Sequence, residues 1–307
     1  MQLTDQEWHH LLLAATVAAK KANAHIQSFD RSCLQVNHKI AGCSQSAQVV
    51  TQVDIACQEI ILSHLADLTA KYDFAVLSEE NADEADTHKH PRLTKDYFWC
   101  IDPLDGTLPF IENTPGYAVS IALVSQSGEA VIGVVVDPVT QDCYQALNLS
   151  SGSLLLKNDQ PWCPQACEPD SVGQGIAFTL VYDRSFECDP AYSYFIDTLW
   201  SQLKVLGYSG LEVVNNKGAV MNALTVLEQP HSTYIKLPKA RKGGGSLWDF
   251  SATSAIFAAG TRLGYPLITC NIYGAALDLN RRDSNYMNHQ GVVFSHQITL
   301  ALSKFMH

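Results

Sequence analysis

The chain opens on a few polar residues and then settles into a helical beat. Thr4 stands three residues before Glu7, the spacing of a capping box. Trp8, Leu11, Leu12, Ala15, Ala18, Ala19, Ala22 and Ile26 follow at helical spacing, so one apolar stripe defines a first helix. Residues 30–50 lose that beat. They are polar, carry Gly42 and several serines, and read as a loop. A second helix is predicted from about Asp54 to Ala70, with Ile60, Ile61, Leu65 and Leu68 on one face.

Then the period shortens. "FAVL", residues 74–77, reads as a short buried strand that ends at Ser78-Glu79-Glu80. Residues 81–96 are charged and loop-like, and "YFWCI" is the next strand, ending at Asp102. "YAVSIALVS", "EAVIGVVVD" and "DCYQALNL" follow, separated by the turn residues "QSG" and "DPVT"; they predict an antiparallel meander. Proline and glycine cluster at 160–175 and periodicity vanishes, which places a domain boundary near residue 170. Beyond it, strands at "IAFTLVY", "STYIKL" and "PLITC" alternate with helices near Tyr192–Leu203, Lys217–Leu227 and Asp249–Ala259. The expected organisation is an α+β unit over 1–170 and an α/β unit over 171–307 packed on it.

Composition narrows the function. The formal net charge of −11 over 307 residues provides no basic field to gather a nucleic-acid polymer. It leaves room for a small phosphorylated ligand, because a divalent cation reverses the field locally. The longest apolar run, "AVIGVVV", is too short to span a bilayer, and the N-terminus lacks a signal peptide's pattern. A soluble cytoplasmic protein without a membrane partner is expected. Nine cysteines, an odd count in a large chain, argue for reduced thiols rather than a disulfide framework. Cys163 and Cys167 form a lone Cys-x3-Cys with no second pair or nearby histidine, so buried thiols explain them better than zinc.

The chemistry concentrates in "DPLDGT", residues 102–107. Asp102 and Asp105 alone suit an ordinary turn. Glu79 also stands at a strand end, and strand ends meet at one rim of a sheet. Three carboxylates there repel one another unless a cation compensates, and hard oxygen donors of this kind suit Mg²⁺. Gly106 permits close backbone approach, and a helix starting at Thr107 offers free N–H groups to an anion. Acids for metal beside a helix start for phosphate point to metal-assisted phosphoryl chemistry.

With these residues in view, the chain resembles the inositol monophosphatase family, within the lithium-sensitive, magnesium-dependent phosphatase superfamily. Five motifs appear in family order over about residues 5–300: Thr51-Gln52-Val53-Asp54, Ser78-Glu79-Glu80, the "DPLDGT" signature, "YAVSIALV" at 117–124, and Trp248-Asp249 opening an alanine-rich helix. The resemblance implies a layered αβαβα sandwich and a homodimer. It implies a site with two or three Mg²⁺ ions: Glu79, Asp102 and the Leu104 carbonyl at one, Asp102, Asp105 and Asp249 at another. Thr107 and Glu79 would orient the attacking water, Asp54 would support them, and the Gly106 and Thr107 backbone would grip phosphate. Read without the resemblance, Asp54 and Asp249 are acids favoured by helix N-termini, and Trp248 is a core anchor.

The departures fall on the substrate side. Lys242 stands seven positions before Asp249, where the inositol branch carries an acid. With Lys236, Lys239 and Arg241 it forms a basic run that faces either solvent or a second substrate phosphate. Pro109 replaces a polar residue, "NNKGAVMNAL" lacks the usual Gly-Ser pair, and Lys39 stands further upstream than the family's loop lysine. The tail "ALDLNRRDSNYMN" resembles bacterial 3′(2′),5′-bisphosphate nucleotidases. A Mg²⁺-dependent phosphomonoesterase is therefore expected, with inositol monophosphate as first substrate and a bisphosphate nucleotide as the alternative. A catalytically silent binding protein of the same fold is the reading from another class; it would call for a missing metal ligand, and none of the motif's ligands is missing.

Overall fold

A computed structural model describes residues 3–34, 36–38, 49–84, 86–165, 175–238, 245–282, 286 and 288–296. The first helix, α1 (Asp5–Ser28), starts at the expected capping box, with Thr4 and Glu7 satisfying each other's backbone. Two short strands, β1 (Val36–His38) and β2 (Val49–Thr51), pair antiparallel within the stretch read as loop. Then α2 (Gln52–Tyr72) packs beside α1.

A seven-stranded sheet follows: β3 (Ala75–Ser78), β4 (Tyr97–Asp105), β5 (Ala118–Ser125), β6 (Ala130–Val136), β7 (Cys143–Leu149), β8 (Gly152–Lys157) and β9 (Gln160–Pro161), in that spatial order. Between β4 and β5 lies the five-residue helix α3 (Thr107–Ile111). Only the β3–β4 pair is parallel; from β4 to β9 the strands form the expected meander.

The second sheet takes β10 (Ala177–Val181), then, after α4 (Tyr192–Val205), β11 (Gly210–Val214). After α5 (Ala219–Glu228) come β12 (Ser232–Lys236), α6 (Leu247–Arg262), β13 (Leu267–Cys270) and β14 (Val292–His296). The strand order is β11-β10-β12-β14-β13. Sequence reading found neither β11 nor β14. β11 lies at the sheet edge without a buried face, and β14 is a five-residue buried run with no alternation.

Three hydrophobic clusters define the layers. One joins α1 and α2 to one face of the large sheet through Leu11, Ile61, Trp99 and Ile101. A second sandwiches α5 and α6 between the two sheets through Phe98, Val226, Phe257 and Phe294. The third seals the outer face of the small sheet under α4, through Phe178, Leu180 and Leu199. The result is an αβαβα stack. The boundary expected near 170 lies outside the described residues. Among the described residues no helix is long and apolar enough to cross a membrane.

Candidate active site

Strand β4 delivers the two signature aspartates to one face by breaking its own alternation. Trp99 and Ile101 face α1 and α2, while Phe98 and Cys100 face α5 and α6. Asp102 continues the second set. Asp105, three residues on, belongs by simple alternation on the opposite face. The register shifts between them, because Asp102 lies opposite Ser120 and Asp105 opposite Ala118. Three steps on β4 thus match two on β5, and this bulge returns Asp105 to the side of Asp102. Asp249, at the start of α6, meets them there: one oxygen from each of the three carboxylates lies within 4.8 Å of the others.

Helix starts converge on the same place. Asp54 is the third residue of α2; the Thr51 N–H and hydroxyl donate to its carboxylate at 3.0 and 2.5 Å. Asp249 holds the same position in α6, where the Ser246 N–H donates to it at 2.8 Å. Both are capping-box acids as well as candidate functional groups, and the box fixes each carboxylate's direction. The plain helix-cap reading and the functional reading therefore describe the same geometry. Asp105 is held from the second half of the chain: the Ala219 and Val220 N–H groups, first in α5, donate to its two oxygens at 3.2 and 2.8 Å. The Thr107 hydroxyl, at the start of α3, donates to Asp54 at 3.1 Å. The positive ends of these helices lower the cost of gathering acids.

That cost is nevertheless incompletely met. Burial, then the charges of Glu79, Asp105 and Asp249, push the Asp102 carboxyl well above its ordinary range. Burial and Asp249 do the same to Asp105, against the Val220 N–H and Lys236. Asp54 is pushed up to about 6 by burial, with Thr51 opposing and Glu79 adding to the rise. Asp249 reaches about 6, also through burial, with Lys236 opposing it. A buried rim of hard oxygen donors carrying more negative charge than its surroundings neutralise fits a divalent cation.

Glu79 follows β3 at the start of a 3-10 turn and is half buried, close enough for its charge to act on Asp54, Asp102 and Asp249. Leu104 sits inside the bulge with its N–H donating to Asp102 at 3.1 Å. Gly106 takes φ +83°, and a Cβ there would meet the Gly116 carbonyl oxygen at 2.6 Å. Pro109 and Phe110 are buried, and the Arg31 guanidinium lies 4.4 Å over the Phe110 ring while donating to the Phe110 carbonyl at 2.5 Å. Lys39, Lys239, Arg241 and Lys242 lie outside the described residues. Lys236 faces neither open solvent nor empty space: its side chain is 10% exposed and pairs with Asp183 at 2.6 Å.

Sequence reading missed Asp183. It accepts from Lys236, from the Tyr234 hydroxyl at 3.0 Å and from Asn222 Nδ2 at 3.3 Å. Its signal was faint, an acid just past the end of "IAFTLVY". The docking of α5 on Asp105 was missed too, although Gly218 before an apolar helix was visible in "NNKGAVMNAL".

Fold and site together define a class: a layered α/β protein with an acidic, cation-fitting centre where two sheets and several helix starts meet. The inositol monophosphatase family model matches residues 7–303, and the chain belongs to that family of phosphoric monoester hydrolases. It is 40% identical over 102 residues to the 3′(2′),5′-bisphosphate nucleotidase CysQ of Salmonella typhimurium, a match spanning 33% of this chain and 39% of that one. It is 26% identical over 252 residues to the histidinol-phosphatase of Chlorobaculum parvum, covering 80% of this chain and 88% of the relative. The solved inositol monophosphatase of Anabaena superposes with a TM-score of 0.66 at 19% identity, over 97% of this chain and 95% of that one, which supports the fold.

Proposed function

We propose that the chain is a Mg²⁺-dependent phosphomonoesterase acting on a small, soluble, anionic phosphate ester. The observation that carries this reading is the meeting of Asp102, Asp105 and Asp249 within 4.8 Å in a buried, under-neutralised cluster. In this reading Glu79, Asp102 and the Leu104 carbonyl hold one ion, and Asp102, Asp105 and Asp249 hold another. Bound there, two or three Mg²⁺ ions supply a water acidic enough to attack near neutral pH and charge to stabilise the leaving oxygen.

The chain's own groups orient the reaction. Thr107 spends its proton on Asp54, so its oxygen lone pairs are left to accept from an attacking water. Asp54, locked by Thr51, keeps that hydroxyl pointed. Glu79 is the second acceptor for the water in this assignment. The Gly106 and Thr107 backbone receives the phosphate, and attack proceeds in line. Halves 1–170 and 171–307 act as two units of a cytoplasmic homodimer's protomer, the second supplying Asp249.

Inositol monophosphate is the first substrate in this reading. A second reading is a 3′(2′),5′-bisphosphate nucleotide, for which the tail "ALDLNRRDSNYMN" is the sequence ground. The CysQ likeness points the same way. A phosphate-release panel decides: inositol monophosphate, 3′,5′-bisphosphate nucleotides and histidinol phosphate, with Mg²⁺, with Li⁺ added, and in excess chelator. Release that needs Mg²⁺ and is inhibited by Li⁺ is expected. Full activity in chelator, or no release from any phosphomonoester, would remove the reading, and the latter would favour a binding protein.

A further inference from the structure

One polar side chain in the middle of β5 has nothing to bond to. Ser120 is fully buried, and its hydroxyl has no hydrogen-bond partner among the described residues. A buried hydroxyl left unpaired is a cost to the fold, and it calls for a reason. Packing supplies none, because the neighbours of Ser120 along the same face are Ala118 and Ala122.

Alternation fixes the face. Val119, Ile121 and Leu123 belong to the cluster with α1 and α2, while Ala118, Ala122 and Val124 belong to the cluster with α5 and α6. Ser120 stands with the second set. Directly across from it on β4 is Asp102, in the last regular pair before the bulge. Residues paired in this way stand about 4.5–5.5 Å apart at Cα, with their side chains next to each other. Helix α6 covers this face so closely that a Cβ on Gly133, opposite Ala122, would run into the Ala252 carbonyl. The first turn of α6 brings Asp249. The unpaired hydroxyl is thus enclosed with the acids of the centre and shut off from solvent.

Asp102 has room for one more donor. A carboxylate offers about four lone-pair sites. The Leu104 N–H takes one. In the proposed reading Asp102 bridges both ions, which occupies two more and leaves one.

We infer that Ser120 is a positioning residue of the ion centre: when the ions bind, its hydroxyl donates to the remaining site on Asp102 and holds that carboxylate in its bridging direction. The inference rests on the proposed role of Asp102 as a metal ligand. Ser120 touches neither ion nor substrate. The metal-free chain carries the hydroxyl unpaired and the loaded chain uses it, so removing it should move stability and affinity in opposite directions.

The test is Mg²⁺ binding to the full chain by titration calorimetry, with thermal melts of the same preparations in chelator. Ser120→Ala removes the hydroxyl and suits a face that already carries alanines. Ser120→Cys fills the space with only a weak donor. Ser153→Ala is the control, since the Ser153 hydroxyl is also buried without a partner but lies on β8, away from the acids.

Expected are a melting temperature in chelator at or above wild type for Ser120→Ala, and Mg²⁺ affinity about tenfold weaker in both Ser120 variants. Ser153→Ala should keep wild-type affinity. Turnover of Ser120→Ala should be restored at high Mg²⁺. Wild-type Mg²⁺ affinity in Ser120→Ala would overturn the inference while leaving the metal reading intact. So would a loss in Ser120→Ala that Ser120→Cys repairs, because the side chain would then act by its volume. A Ser120→Ala protein that melts well below wild type in chelator would make the hydroxyl part of the scaffold and overturn it as well. A wild-type protein that binds no Mg²⁺ would overturn the metal reading, and the inference with it.

Discussion

Two buried charged centres lie near opposite ends of β4, and they are neutralised in opposite ways. Before the strand, Arg92 is wholly buried. Its guanidinium donates to Asn280 Oδ1 and, at 2.7 Å, to the Arg281 carbonyl, and lies 5.3 Å over the Tyr286 ring. Asn280 closes the loop by donating to the Arg92 carbonyl at 3.2 Å and the Gln126 carbonyl at 2.8 Å. These dipoles pin the 278–282 segment to the turn before β4. At the other end of the strand, Asp102, Asp105 and Asp249 crowd together, and the helix starts that hold them leave two of them far from their ordinary ionisation. A buried charge surrounded by fixed dipoles is part of the scaffold. A buried charge that the fold orients but does not neutralise is prepared for a ligand.

The largest effect that would break this contrast concerns turnover. Asp102→Asn or Asp249→Asn keeps the shape and removes one charge. Turnover at saturating Mg²⁺ should fall about 10³-fold, since several kcal/mol of transition-state stabilisation depend on the ion's charge and place. The melting temperature in chelator should rise, because repulsion within the cluster is relieved. Steady-state rates and thermal melts on the same preparations read both. A variant that lost stability in chelator while keeping its rate would make the acids scaffold, like Arg92.

Much of this site was legible because its acids occupy positions that sequence rules already mark. Thr51-x-x-Asp54 and Ser246-x-x-Asp249 are capping boxes, so helix and ligand are announced by the same letters. The apolar run "YFWCI" placed Asp102 at a strand end, though not on a face. The bulge that turns Asp105 was not legible, because it depends on register with Ala118 and Ser120. Lys236 was grouped with its basic neighbours by proximity in sequence. In the fold it ends β12 and points to Asp183, 53 positions earlier, a pairing set by parallel β10 and β12 lying side by side. Contacts made across sheets leave no local period to read.

On the scaffold side, Arg92→Met should lower stability by about 2–4 kcal/mol, as the Asn280 and Arg281 oxygens lose their buried donor. Turnover per folded molecule should stay near wild type. Denaturant melts with m-values would separate lost stability from lost structure, and active-site titration would count folded enzyme. A fall in turnover comparable to that of Asp249→Asn would move Arg92 into the catalytic machinery.

The last effect is a pH trend, roughly 3 kcal/mol for each carboxyl raised from about 4 to about 6, and its direction separates the two centres. Asp54 and Asp249 titrate near 6 in the fold against about 4 when unfolded. Between those values the folded chain binds more protons than the unfolded chain. Metal-free stability contributed by these acids therefore falls as pH rises from about 4 to about 6, and keeps falling above it as Asp102 and Asp105 ionise. Asp159, paired with Lys20, and Glu112, paired with Arg184, are held below their ordinary range and act at the acid edge of that window or below it. Saturating Mg²⁺ needs the ionised acids and should flatten or reverse the trend. Melts in chelator and in Mg²⁺ at stepped pH values would show it, with Asp102→Asn reducing the slope and Arg92→Met leaving it unchanged. A chelator melt that rises with pH across the window would mean the cluster is already neutralised by the fold.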